Sequence, residues 1–442
     1  MKRLFFIGWV GLTALLTGVL AQAQTPLRLT LNDAIERGLQ ANLGVLLAGT
    51  RVEESEAARL RALTAARLPR LSAETYANLH STDLRAQGFS MRGIPEMVGP
   101  MANYDFRISA QQNVVDRVSL HTLEAAERAI DADKMDERDV RDIVVQSVAS
   151  QYLDAESSAA RVRSAQSRVK DAETLARLAR DRHDAGAATG VDVLRAEVQL
   201  ANDRQSLLVY ENRRQVALLG LARTIGLSPG TPIELAETLE FHPLVAQEIS
   251  TLTDAALATR ADYLELAAER KQLEAQQAAS RARYFPKFTL GGNVGEIGRT
   301  FGQMRMTGAV QGQVDITLFD RDREGEAAVL AARVRRINQQ MADMRRGIEQ
   351  QLRQALLTLD SATQQVDVAR QGESLAAREL EMSSDRFQTG TANNVEVVTA
   401  QDELARAQEN TIQAVSGHAD AKYALARAMG DTAKNIAAFQ QK

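Results

Sequence analysis

Residues 182–194 read Arg-His-Asp-Ala-Gly-Ala-Ala-Thr-Gly-Val-Asp-Val-Leu, and residues 386–398 read Arg-Phe-Gln-Thr-Gly-Thr-Ala-Asn-Asn-Val-Glu-Val-Val. Each copy has a glycine, a short polar stretch and then an aliphatic–acidic–aliphatic triplet. From Asp116 and Asp320 onward, matching residues of the two halves stay 204 positions apart. A shared alanine-rich composition would not keep glycines, acids and aliphatic residues in this order, so the sequence indicates a duplicated unit.

The duplication defines the predicted domain organisation of the 442-residue chain. A first repeat at 24–226 and a second repeat at 251–430 are joined by a connector at 227–250. The connector holds three of the 8 prolines, and proline disfavours a continuous helix. Residues 431–442 are left as a C-terminal tail.

Residues 1–23 predict a secretory signal peptide. A basic start, Met1-Lys2-Arg3, precedes an apolar run that ends at Leu20, and Ala21-Gln22-Ala23 is a small-residue cleavage pattern. An uncleaved transmembrane anchor is the alternative, but the apolar run is at the lower limit of a membrane span. We therefore expect this segment to be removed and the mature protein to leave the cytoplasm.

Each repeat is predicted to be dominated by helices. An opening helical stretch is expected at about 31–67 and again at about 252–283, each ended by a proline. After Asp116, and after Asp320, a helix of about 70 residues and about 100 Å is expected. Alanine-rich apolar positions spaced by three and four residues favour packing against a return helix as an antiparallel coiled coil. The return helices are expected at 191–225 and 395–429.

Two pairs of alternating apolar and polar runs predict four β-strands per chain. The expected strands are at about 70–79, 104–115, 287–294 and 306–319. Such runs are typical of a transmembrane β-barrel, although an ordinary antiparallel sheet gives the same alternation. Four strands cannot close a barrel in lipid, whereas three chains would supply twelve strands and twelve long helices. The predicted fold is mainly α with a transmembrane β part, in which a trimer joins a twelve-stranded β-barrel to an α-helical barrel.

The composition excludes several classes of function. The chain has no cysteine, 5 histidines without paired helical spacing, and a net charge of −4. Thiolate chemistry is therefore excluded, a metal site is not expected, and no basic surface indicates nucleic acid. The sequence has neither a phosphate-binding loop nor a nucleophile elbow, so we expect no cofactor and no enzymatic activity.

These features together resemble the TolC-like outer-membrane efflux proteins. The resemblance spans essentially the whole mature chain and is most specific in the two glycine-turn segments and the strand ends at Val115-Asp116 and Phe319-Asp320. It implies a homotrimeric channel-tunnel in outer-membrane lipid, with its helical body in the periplasm. It also implies a periplasmic adaptor and an inner-membrane pump of RND, ABC or MFS type as partners. The implied function is a passive exit duct for small molecules, metals or proteins.

The resemblance implies two sites at the glycine turns. Relatives carry two acids in the second copy, but only Glu396 remains here, and Ala392 stands where a supporting arginine is usual. One acidic ring at the mouth is the most that we expect, and Asp192 and Glu396 can equally be acids that stabilise helix N-termini. The periplasmic gate would comprise Asp192, Glu396 and Thr399. The adaptor-docking tips would comprise Gly186, Ala187, Thr189, Val191, Gly390, Thr391, Asn393 and Val395.

A second class of function fits the same helices. A secreted or periplasmic coiled-coil scaffold or adhesin would fold the alternating runs into a small soluble sheet and would conduct no ions. The two interpretations differ in whether the protein is extracted from membranes as a trimer or behaves as a soluble or peripheral protein.

Overall fold

A computed structural model describes residues 26–89, 93–244, 248–389, 391 and 394–440 of the chain. The predicted signal peptide lies outside the described residues, and so do the predicted docking residues Gly390 and Asn393.

Helices make up most of the described residues. In chain order they are α1 (Leu31–Ala41), α2 (Leu43–Arg67), α3 (Arg117–Asp184), α4 (Gly190–Thr224), α5 (Ile249–Thr259), α6 (Ala261–Ala282), α7 (Arg321–Gln388), α8 (Asn394–Met429) and α9 (Thr432–Gln440). The long helices α3 and α7 have 68 residues each, and they pack along α4 and α8 as two antiparallel hairpins. Among the described helices, none combines the length and the apolar character that a membrane span requires.

An aspartate begins the long helix of each repeat. The Asp116 carboxylate accepts hydrogen bonds from the amides of Val118 and Ser119 at 3.1 and 3.2 Å. The Asp320 carboxylate accepts from the Asp322 amide at 3.1 Å. These side chains satisfy amides that have no partner inside the helix. β3 therefore passes into α3 through Asp116 alone, whereas residues 316–320 separate β6 from α7.

The opening helical stretch of each repeat is broken, which corrects the expectation of one continuous stretch. Asn42 has an extended backbone between α1 and α2, and its side chain accepts from the Gly44 amide at 2.8 Å as an N-cap. Arg260 is extended between α5 and α6, and its buried guanidinium is held by Asp262 and Gln351, each at 2.6 Å. The first break has a local signal in the sequence, the capping residue Asn42. At the second break, Arg260 is bonded to Gln351 of α7, which is distant along the chain.

The strands form two sheets. The four strands β2 (Arg70–Asp83), β3 (Met97–Val115), β5 (Lys287–Gly298) and β6 (Arg305–Asp315) lie in the antiparallel order β2-β3-β5-β6. A short parallel ladder pairs β1 (Leu27–Leu29) with β4 (Ile233–Leu235). The sequence analysis did not predict this ladder, which ties the start of the described chain to the connector.

The four-stranded sheet differs from the expected strand bounds at its ends. β2 and β3 continue pairing towards their loop as far as Asp83 and Met97, beyond the expected residues. β6 ends at Asp315 rather than at residue 319 because Asp315 pairs with Lys287, the first residue of β5. Pro286 precedes Lys287 and has no backbone N–H, so the ladder cannot continue past this pair.

The outer strands of this sheet each have one neighbour in the described chain. β2 pairs only with β3, and β6 pairs only with β5. Every residue of β6 is exposed, including Met306 and Val310, which are 77% and 85% exposed. A sheet edge with free amide and carbonyl groups and exposed aliphatic side chains is a template for pairing with another strand. Both edges of the four-stranded sheet are therefore available for pairing with another strand.

The main apolar core lies where the connector and α9 meet the long helices. It includes Val148, Tyr152, Leu352 and Leu425, which are nearly inaccessible to solvent. The Tyr152 hydroxyl donates to the Leu29 carbonyl at 3.0 Å and so fixes β1 on α3. The segments predicted as a connector and a tail thus include parts that are packed against the body.

Gly295 allows β3 and β5 to approach closely. A Cβ atom at this position would lie 2.8 Å from the Arg107 Cα atom, a backbone contact that side-chain motion cannot relieve. We expect Gly295→Ala to weaken the sheet by about 1–3 kcal/mol, as overpacking does in cores. The measurement is loss of the sheet component of the infrared amide I band on heating.

The control is Gly302→Ala in the turn between β5 and β6, where a Cβ atom meets nothing within 4 Å. It should unfold like the wild type. Equal sheet stability in the two variants would show that the close approach at Gly295 is not required.

Candidate functional site at the hairpin tips

The first hairpin turns at Gly186. Its backbone φ is +72°, a conformation that favours glycine, and nothing lies within 4 Å of the position that a Cβ would occupy. The Gly186 amide donates to the His183 carbonyl at 2.9 Å, and the Ala187 amide donates to the Arg182 carbonyl at 2.7 Å. This pair of bonds is a Schellman motif, which satisfies the last carbonyls of α3 and leaves the turn exposed.

The return helix begins with a capping box. The Thr189 hydroxyl accepts from the Asp192 amide at 3.3 Å, and the Asp192 carboxylate accepts from the Thr189 hydroxyl at 2.7 Å and from its amide at 3.0 Å. The hydrogen bond from the Thr189 hydroxyl is the main reason that the pKa of Asp192 is lowered. The Asp192 carboxylate thus stabilises the N-terminus of α4.

The second hairpin repeats part of this turn. The Thr391 amide donates to the Arg386 carbonyl at 2.9 Å, which matches the bond between Ala187 and Arg182. The Thr389 hydroxyl donates to the Asp385 carbonyl at 3.1 Å and so adds a bond at the end of α7. The return helix α8 starts at Asn394, whose side chain is fully buried.

The two tips are joined to each other. The Arg182 guanidinium donates to the Phe387 carbonyl and lies 4.7 Å from the centroid of the Phe387 ring. The Asn394 side-chain amide donates to the Asp192 carbonyl at 2.8 Å. Beneath these polar contacts the tips share an apolar cluster of Ala172, Leu175, Ala176, Ala179, Ala196, Leu200, Phe387 and Val397. The ends of both hairpins therefore form one packed unit.

The structure places the predicted gate residues at this end of the molecule, in different environments. The Asp192 side chain is 18% exposed and belongs to the capping box, and Arg195 lies 3.9 Å from its carboxylate. Glu396 is 40% exposed and forms an ion pair with Arg386 at 3.1 Å. Thr399 is exposed. The arginine that pairs with Glu396 is Arg386, at the end of α7. It does not occupy position 392, where the family resemblance implied a supporting arginine.

The described docking residues are all on the surface. Gly186, Ala187, Thr189, Val191, Thr391 and Val395 are exposed. The sequence analysis missed the side chains that join the tips, Arg182, Phe387 and Asn394. The sequence did contain one signal for this contact. Arg182 of the first copy aligns with Arg386 of the second, and the aromatic Phe387 is the next residue.

No group of three or more potential metal-ligating side chains gathers anywhere in the described residues. The described site therefore consists of turns, caps, an ion pair, and the polar and apolar contacts that join the two hairpins. Such an arrangement can present a surface to another protein or adjust the separation of two hairpins.

A four-stranded open sheet continued by two long helical hairpins that end in exposed turns is the protomer architecture of outer-membrane channels. The sequence model of the outer membrane efflux protein family matches residues 34–227 and 252–431. The chain belongs to this family.

Relatives and solved structures agree with this assignment. The pyoverdine export outer membrane protein OpmQ of Pseudomonas aeruginosa is 25% identical over 426 residues, which cover 90% of this chain and 85% of OpmQ. The outer membrane protein VceC of Vibrio cholerae has a TM-score of 0.76 at 19% identity, covering 90% of this chain and 96% of VceC. The CmeC outer membrane channel of Campylobacter jejuni has a TM-score of 0.74 at 15% identity, covering 93% and 89% of the two chains.

The family assignment confirms the main expectations from the sequence. The chain has the fold of the TolC-like channel proteins, and it is an outer-membrane protein with its helical body in the periplasm. Its function is that of an outer-membrane exit duct for efflux. The comparisons give no support to the alternative of a scaffold or adhesin.

The capping box predicts a pH-dependent stability of the first tip. Because the pKa of Asp192 is lowered in the folded protein, its contribution is present above the usual value of 3.8 and is lost as the pH falls through the lowered pKa. We expect Asp192→Asn to destabilise the start of α4 by about 1 kcal/mol at pH 7, or about fivefold in hydrogen exchange. The difference from the wild type should shrink below pH 3.8.

Asp184→Asn is the matched control, because Asp184 lies in the same tip with its side chain 82% exposed. It should leave the exchange of the α4 amides unchanged. A pH-independent effect of Asp192→Asn would contradict the capping role of the carboxylate.

Proposed function

We propose that three copies of the chain close into one duct through the membrane. The observation that carries this proposal is the open four-stranded sheet, whose edge strands β2 and β6 each lack a second neighbour in the described chain. Lipid offers no hydrogen-bonding groups to such edges, so β6 of one copy pairs with β2 of the next. Three copies supply twelve strands, an even number within the range of outer-membrane barrels.

The helices offer a matching seam between copies. Exposed aliphatic side chains recur on α7 at Val368, Leu375 and Met382, seven residues apart. Others recur on α4 at Leu194, Val198, Leu208, Val216 and Leu219. A seven-residue spacing is that of a coiled-coil seam, so α7 of one copy packs against α4 of the next in the proposed assembly.

The hairpin tips form the periplasmic gate and the docking surface of the proposed duct. Asp192, Glu396 and Thr399 lie near the mouth, and the exposed turns at Gly186 and Thr391 meet the adaptor. The ion pair with Arg386 compensates the charge of Glu396 locally, so three copies of Glu396 give only a modest preference for cations. Separation of the two hairpins at the Arg182 contact opens the mouth.

The partners proposed for the duct are a periplasmic adaptor and an inner-membrane pump of RND, ABC or MFS type, which supplies the energy for transport. The cargo proposed is a small organic molecule. Relatives named for pyoverdine export, for an antibiotic efflux pump and for a toluene efflux pump support this choice over a protein cargo.

The gate is tested by removing the guanidinium that joins the tips. Loss of a charge-assisted hydrogen bond of about 1.5 kcal/mol shifts a closed–open equilibrium about tenfold. Arg182→Ala should therefore raise the open fraction in planar-bilayer recordings by about this factor.

Arg180→Ala is the matched control. Arg180 pairs with Glu197 at 2.9 Å inside the first hairpin and does not join the two hairpins. It should leave the conductance unchanged. Equal conductance of Arg182→Ala and the wild type would exclude the tip contact as part of the gate.

The docking surface is tested at the first turn. Gly186→Val places a branched side chain at a positive φ of +72°, which distorts the turn at a cost of about 1–2 kcal/mol. Export by cells and cross-linking to the adaptor should fall to background, while the amount of assembled protein in the outer membrane stays normal.

Gly372→Val provides the comparison, since Gly372 is exposed on α7 with nothing within 4 Å and without a positive φ. It should export normally. Normal export by Gly186→Val would refute the assignment of this turn to adaptor docking.

A further inference from the structure

A cleft lies beneath the connector, distant in sequence from the tips and the sheet. Two adjoining cavities of about 410 and 720 Å³ share Glu156 of α3 and connector residues 236–239 as walls. The outer-membrane duct needs neither of them for closure of the barrel or for the gate. Their combined size is sufficient for a small organic molecule.

Glu156 is a buried acid in the wall that the two cavities share. Its side chain is 8% exposed, and its Oε1 atom is buried without a hydrogen-bond partner in the described part of the chain. Among the described residues, no cationic side chain lies within 4.0 Å of its carboxylate. A buried carboxylate without a partner is costly, so the protein either keeps it neutral or pairs it with a bound cation.

Two aromatic residues complete the wall of the smaller cavity. Tyr423 of α8 is 9% exposed and Phe439 of α9 is 5% exposed. A carboxylate beside aromatic rings is the arrangement that recognises organic ammonium groups, because the ring faces and the carboxylate both attract a cation. We infer that the cleft binds a small organic cation, with its charged nitrogen paired to Glu156 and its apolar part against Tyr423 and Phe439.

The nearby cations of the chain do not fill this role. The Lys422 ammonium donates to the His242 carbonyl at 3.2 Å and to the Phe439 carbonyl at 2.7 Å, so it holds the connector and α9 on α8. Arg163 and Arg214 line the larger cavity, and Arg163 affects Glu156 only through a longer-range charge interaction. The carboxylate of Glu156 is thus left for a ligand.

The second repeat does not build the same site. Position 360, which is 204 residues after Glu156, holds Asp360, whose side chain is exposed and accepts from Gln364 at 2.9 Å. Asp360 is not among the described residues that line the two cavities. Asp360 is therefore a repeat-matched control for Glu156.

The proposed site has a pH signature. Burial, followed by the negative charge of Glu237, raises the pKa of Glu156 to about 7. The carboxylate is therefore mostly ionised at pH 8 and mostly neutral at pH 5.5. The other titratable groups that line or adjoin the cleft are Tyr152 and Arg163 of α3, Arg214 of α4, Glu234, Glu237, Glu240 and His242 of the connector, and His418, Lys422 and Tyr423 of α8.

Calorimetric titration of the detergent-extracted full protein with benzyltrimethylammonium tests the proposal. This probe is permanently charged, so any pH dependence belongs to the protein. Affinity should fall about 30-fold between pH 8 and pH 5.5, because about one carboxylate in thirty remains ionised at the lower pH. Benzyl alcohol, a neutral aromatic probe, should show no such dependence.

The variants Glu156→Gln and Asp360→Asn complete the experiment. Glu156→Gln should reduce the affinity at pH 8 to the wild-type value at pH 5.5 and remove the pH dependence, whereas Asp360→Asn should bind like the wild type. Absence of binding to the wild type at pH 8, or unchanged affinity in Glu156→Gln, would overturn the proposal. The wild-type titration alone decides the matter if Glu156→Gln fails to fold. This site lies within one chain and does not depend on the proposed gate, adaptor or trimer.

Discussion

Backbone hydrogen bonds that a single chain cannot complete are the constraint on which the rest of the structure depends. β2 and β6 each lack one neighbour in the described residues, and β6 is exposed along its whole length. In an outer-membrane protein these edges face lipid, where an unpaired amide or carbonyl group costs several kcal/mol. In the proposed duct, closure with other copies satisfies both edges at once. The long helices follow the sheet in the chain, and each begins at an aspartate cap, Asp116 or Asp320.

The hairpin tips are stabilised by different interactions from those of the sheet. Their turns are exposed and fixed locally by a Schellman motif and a capping box, while a small apolar cluster and side-chain hydrogen bonds join the two hairpins. The polar contacts of this junction include Arg182 with Phe387, the bond from Asn394 to the Asp192 carbonyl, and a hydrogen bond from Gln199 to Asp402 at 3.1 Å. The proposed gate opens at this junction, by separation of the two hairpins.

Much of the fold could be predicted from the sequence because its signals are local or repeated. The constant spacing of 204 residues located the hairpins, and alternation located the four strands. The break at Arg260 could not be predicted in this way, since it depends on Gln351, which is 91 residues away along the chain. The pairing of β1 with β4 likewise joins two three-residue strands that are too short for a periodic signal.

The candidate site was predicted in its position but only partly in its contacts. Glycines, capping residues and acids are visible in the sequence, and the structure brings those in the described residues to one end of the molecule. The contact of Arg182 with Phe387 spans 205 residues, and the partner of Glu396 lies in the preceding helix rather than at position 392. Contacts between repeats depend on how the hairpins pack, which the order of residues does not specify.

The central claim is that one chain is an incomplete part of a closed duct. The most direct test is the mass of the complex extracted from outer membranes in mild detergent, measured by native mass spectrometry. The account predicts three copies of the mature chain, which close a twelve-stranded barrel. A monomer in the membrane, or release without detergent, would contradict it, because four strands cannot close in lipid. A dimer would also contradict it, because two copies would close eight strands rather than twelve.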